Sequence, residues 1–171
     1  MSNNDLVLYG GILAVAVVVI VYLVSWKKEK DSLQKTPQEP VSSGSLNLKL
    51  GAYERLVLLT ERISLPSLIS RVPAGDLTVR QLQGVLVDQI KTEFDYNLSQ
   101  QIYVAPQAWQ AVSNLKEQNI FIINKVAENL QPADRGVELS KLIIELVNKD
   151  PNVSLHPVVL EALNFEAKKL L

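Results

Sequence analysis

The sequence predicts an all-α protein: one N-terminal transmembrane helix, a flexible linker, then a bundle of about five or six helices. Three observations predict it. Leu6 to Trp26 is a continuous apolar run without Asp, Glu, Lys, Arg or His. The next stretch, residues 27–45, is polar, contains Pro37, Pro40 and Gly44, and has no apolar periodicity. From Leu46 onward, apolar residues recur three and four positions apart, with no convincing alternation of period two.

The apolar run spans roughly 31 Å as a helix, the thickness of a bilayer's hydrocarbon core. A helix is the one single segment that satisfies its own backbone in lipid. A cleaved signal peptide is a poor description of it. Met1 to Asp5 carries no basic residue, the apolar core is too long, and it ends in Tyr22, Trp26 and Lys27 rather than at a small-residue cleavage site. Tyr9, Tyr22 and Trp26 are placed as interfacial anchors. Lys27, Lys28, Lys30 and Lys35 follow the span and nothing basic precedes it, which puts the C-terminal domain in the cytoplasm and the N-terminus outside. Gly10 and Ala14 have a small-x-x-x-small spacing. Such residues are common in membrane helices, so self-association through the span stays open.

Composition excludes more than it assigns. Among 171 residues, 17 are basic and 18 acidic, with one histidine and no cysteine. A near-neutral chain offers no electrostatic argument for nucleic acid. Without cysteine there are no disulfides, thiolate metal sites or Cys nucleophile. The expected domains are 1–26 (tail and span), 27–45 (linker) and 46–171, an all-α soluble domain long enough for one core. A linker of this length has an end-to-end distance of roughly 25 Å, which keeps the domain near the bilayer.

Each helix follows from its pattern. The first runs from about Leu46 to Ile63, with Leu46, Leu50, Tyr53, Leu56 and Val57 on one face, Leu48 and Leu59 on another and Leu58 on a third, as suits a central helix. Its Glu54-Arg55 and Glu61-Arg62 pairs repeat seven residues apart. Interhelical ion pairs or plain exposure account for them more simply than a carboxylate pair in a groove. Ser64 is placed to cap a short second helix near Pro66 to Arg71, ended by Pro73-Ala74-Gly75. Asp76 or Thr78 caps a long third helix reaching about Gln100. Its core row is Leu82, Leu86, Ile90, Phe94 and Leu98. Beside it runs a polar row of Gln89, Glu93, Asn97, Gln100 and Gln101. Ile102 to Val104 reads as an extended connector. Pro106 opens a fourth helix to about Leu130, with Ala108, Val112, Leu115, Ile122, Val126 and Leu130 inward and Trp109 at the margin. A fifth covers about Asp134 to Asn148, and a last one starts at Pro157.

No catalytic set emerges. His156 stands alone, no Gly-rich phosphate loop or calcium-loop spacing occurs, and no cofactor or metal site is expected. The most unusual stretch is Glu93 to Trp109. Its candidate residues are Glu93, Asn97, Gln100, Gln101, Tyr103 and Trp109. Amides beside aromatics suit the gripping of a partner protein. They suit equally a helix-helix corner where terminal carbonyls need partners, and the structural reading is the simpler. The leading function is a membrane-tethered interaction module: a scaffold, adaptor or accessory subunit. The alternatives are a membrane-bound hydrolase or transferase using Glu93 or Glu54 and Glu61, whose carboxylates would have to converge in a pocket with raised pKa, and an oligomeric structural membrane protein.

The run Glu93-Phe94, Asn97 to Val104 and Ala108-Trp109, together with Ala52 to Leu56 and Glu61 to Ile63 in the first helix, resembles a family of uncharacterised membrane-anchored proteins from Bacteroidota. The resemblance covers nearly the whole chain. Where such relatives carry a serine-acid helix cap, this chain has Ala105-Pro106-Gln107. The resemblance implies a bacterial protein, in agreement with the topology expected from the lysines after the span, and no transferable activity or catalytic residue.

A segment of residues 46–171 is expected to give a circular dichroism spectrum dominated by helix; major sheet content would contradict the assignment. In intact cells the C-terminal domain is expected to resist external protease even after the outer membrane is opened. Its digestion there would place it in the periplasm.

Overall fold

A computed structural model describes residues 43–150 and 153–171. The chain divides between Val41 and Ser42, and the description covers the second unit. The expected span Leu6 to Trp26, its anchors Tyr9, Tyr22, Trp26, Lys27 and Lys28, and most of the expected linker lie outside the described residues. Among the described residues, no helix is long and apolar enough to cross a membrane.

Among the described residues there are six α-helices and the 3-10 helix Leu98–Ile102, with Val153 also in 3-10 conformation, and no strand. In chain order the helices are α1 (Ser43–Ile63), α2 (Leu65–Arg71), α3 (Val79–Asp95), the 3-10 helix, α4 (Pro106–Ala127), α5 (Gly136–Lys149) and α6 (His156–Lys168). The expected bundle of helices is therefore present. Its edges differ in instructive ways.

Helix α1 begins at Ser43, inside the stretch read as linker. Once a helix exists, each added residue gains a hydrogen bond without a new nucleation cost, so an adjoining Ser-Gly-Ser can be drawn in. The buried face of α1 is Ala52, Tyr53, Leu56, Leu59, Thr60 and Ile63. Leu59 thus belongs to the core, whereas Leu48, expected on the same side, is exposed. Helix α6 packs along α1, and α3 packs on both α4 and α5. The row Leu82, Leu86, Ile90 and Phe94 is buried as its spacing requires.

Ser64 stands at the junction of α1 and α2, but its hydroxyl does not cap α2. It donates to the Glu61 carbonyl at 2.9 Å, closing the end of α1 instead. Thr78, not Asp76, caps α3. Its Oγ1 accepts from the Gln81 amide at 3.3 Å while the Gln81 side chain accepts from the Thr78 amide at 2.9 Å, a reciprocal capping box.

The beginnings of α3 and α5 are tied together. The Val79 and Arg80 amides donate to the Asp134 and Pro132 carbonyls, and the Gly136 amide donates to the Leu77 carbonyl at 2.7 Å. Asp134 is therefore not the start of α5, as its position suggested. Its carbonyl serves Val79, and its carboxylate accepts from the Gln131 amide. The helix starts two residues later, at Gly136. There a side chain has no room: a β-carbon on Gly136 would sit 2.8 Å from the Leu77 oxygen and 3.2 Å from the Leu82 β-carbon. Helix α4 likewise stops at Ala127, and Leu130, expected inward, is half-buried beyond its end.

Among the described residues, two polar side chains, Thr60 and Asn119, are fully buried. Asn119 on α4 is fully buried and donates to the Ile63 carbonyl at 2.7 Å, holding the last turn of α1 against α4. A buried carbonyl so far from solvent needs such a donor.

Gly136→Ala should lower thermal stability by roughly 1–3 kcal/mol, because backbone rather than a flexible side chain occupies the space. Thermal melts of the two proteins check this, with Gly84→Ala as the contrast, since Gly84 has open space where its β-carbon would stand. Equal losses at the two sites would contradict the steric account.

Candidate functional site

The unusual stretch becomes a corner between α3 and α4, and its geometry separates an inner from an outer side. Helix α3 ends at Asp95, five residues before the expected end. No proline or glycine stops it. The Asn97 amide donates to the Phe94 carbonyl, which tightens the turn to a three-residue step, and the same step recurs at Gln100 to Asn97 and Tyr103 to Gln100. The Asn97 side chain donates to the Glu93 carbonyl at 2.8 Å and so satisfies a carbonyl that the shortened helix leaves open.

This termination breaks the predicted polar row. Glu93 remains on α3, but Gln100 and Gln101 belong to the 3-10 helix and no longer continue its face. Gln100 turns in, buried, and donates to the Ser99 hydroxyl at 3.1 Å. Gln101 is exposed. Leu98, expected to extend the core row, is 42% exposed for the same reason. Ile102 to Val104 is likewise not extended. Ile102 ends the 3-10 helix and Tyr103 sits at φ −108, ψ −9.

The inner side is fully engaged. Arg62 at the end of α1 grips the Glu93 carboxylate with two donors, Nε at 2.8 Å and an η nitrogen at 2.5 Å. Arg71 of α2 approaches the same carboxylate at 3.6 Å and donates to the Arg62 carbonyl. The Arg62 hydrogen bond holds the Glu93 carboxyl below the usual carboxylate range, against the opposing pull of burial. Tyr53 of α1 accepts from the Ala105 amide at 3.0 Å, which fixes the corner against the middle of α1. Burial raises the Tyr53 phenol above its ordinary value, partly offset by that amide. Trp109 packs on Phe94 with ring centroids 4.9 Å apart, and the Lys116 ammonium sits 4.4 Å from the Phe94 centroid.

The exposed residues of the corner mix apolar with polar, Asp95, Ser99 and Gln101 standing among them. Tyr96 is 79% exposed, Ile102 71% and Tyr103 37%, with Leu98 beside them. Three of these four are outside the candidate set: Leu98 reads as core, Ile102 as connector, and Tyr96 only as one of the aromatics beside the amides of this stretch. Their exposure depends on where α3 stops, which no residue type in the sequence announces.

The enzymatic alternative required converging carboxylates of raised pKa. Glu93 is shifted the other way, Glu54 is exposed, and Glu61 meets His156 at 3.2 Å across the start of α6. Among the described residues no group of three or more His, Asp or Glu side chains gathers where a metal ion would bind. An open groove of about 310 Å³ runs between α3 and α4, lined by Arg80, Gln83, Gly84, Lys91 and Asn124 among others. None of the predicted site residues lines it.

The model of a family of unknown function (DUF7935) matches residues 5–170, and the chain belongs to that family. No curated protein and no solved structure matches the chain.

Because the folded-state pKa of Glu93 is lowered, its contribution to stability is present at neutral pH and is lost as pH falls through and below the usual carboxylate range. The melting temperatures of the natural protein and Glu93→Gln should therefore differ most near neutrality and converge in acid. A pH-independent difference would contradict the ion pair. Asn97→Ala should cost roughly 1–3 kcal/mol, leaving the Glu93 carbonyl unpaired. A melting temperature equal to that of the natural protein would remove Asn97 from the closure of α3.

Proposed function

We propose that this member of the family is a membrane-tethered helical interaction module, a scaffold, adaptor or accessory subunit that meets another protein through the outer face of the α3–α4 corner. The exposed group Tyr96, Leu98, Ile102 and Tyr103 carries the reading. Four large apolar side chains within eight residues stand outward on a turn whose inner side is held by an ion pair, an amide cap and a buried tyrosine. Exposed apolar residues scattered singly need no explanation, but several close together in sequence on a firmly held turn suit a contact surface. Two of the four are tyrosines, which supply contact area at little cost in conformational entropy.

The rest of the reading comes from sequence. The apolar run Leu6 to Trp26 supports the anchor, the lysines after it support a cytoplasmic domain in a bacterial inner membrane, and the motif around Asn97 to Val104 supports an origin in Bacteroidota. In this reading the polar stretch 27–45 tethers a domain that begins near its end and continues to Leu171. No observation favours the catalytic alternative.

The test is site-specific photocrosslinking in native membranes. A photoreactive residue in place of Ile102 or Tyr96 should capture one discrete protein, whereas the same group in place of Lys141, exposed on α5, should not. Ile102→Asp should leave the melting temperature nearly unchanged and abolish that capture from Tyr96. Equal capture from Lys141, or capture that survives Ile102→Asp, would overturn the proposal.

A further inference from the structure

We draw no further inference here: the strongest candidate, the open groove between α3 and α4 lined by Arg80, Gln83, Gly84, Asp88, Lys91 and Asn124, carries charges of both signs, and nothing in the structure shows what occupies it.

Discussion

The described unit depends on how α3 ends. A helix leaves its last carbonyls without partners, and a buried end without them is costly. Here the solution uses one residue twice. The backbone carbonyl of Glu93 accepts from the Asn97 side-chain nitrogen, while its carboxylate takes the Arg62 guanidinium. The first bond stops the helix, and the second ties its end to α1. Because the chain then turns through a tight 3-10 helix, Gln100 swings inward and Tyr96, Leu98 and Ile102 swing outward. With the helix end closed internally, Tyr96, Leu98 and Ile102 face outward beside the exposed Ser99 and Gln101. The same event thus produces both the closure and the candidate contact face.

The bundle supports this arrangement at two other points. Asn119 fastens α4 to the last turn of α1, close in sequence to the arginine that holds Glu93. The tie between the starts of α3 and α5, with Gly136 pressed against the Leu77 carbonyl, fixes the opposite end of α3. Helix α3 is thereby constrained at both termini by specific hydrogen bonds and along its length by apolar packing. A rigid support of this kind is what a small contact surface needs, since ordering a loop on binding would consume much of the interaction energy.

Much of the fold was legible because helical periodicity is strong. The row Leu82, Leu86, Ile90 and Phe94 declared one face of α3, and Pro106 marked the start of α4. The capping box at Thr78 was half visible. The corner was recognised as unusual, but its two sides were not. Spacing carried the Leu82 row one step too far, to Leu98, because nothing in the composition of Tyr96-Asn97-Leu98 signals a stop. The helix yields there to a side-chain hydrogen bond, which is a tertiary and not a compositional event. The partners of Glu93 were equally hidden: Arg62 and Arg71 lie 31 and 22 positions earlier, and only the packing of α1 and α2 brings them to it. Ser64 and Asp134 were placed correctly near helix ends, yet each serves a neighbouring segment instead of the helix it precedes.

In the proposed reading, one corner has a structural inside and an interacting outside. Hydroxyl-radical footprinting of the full-length protein tests it most directly, comparing native membranes with the purified chain. Tyr96 and Ile102 should be readily labelled in the purified protein and protected in the membrane, while Tyr53 stays protected in both. Equal labelling of Tyr96 and Ile102 in the two settings would contradict that reading.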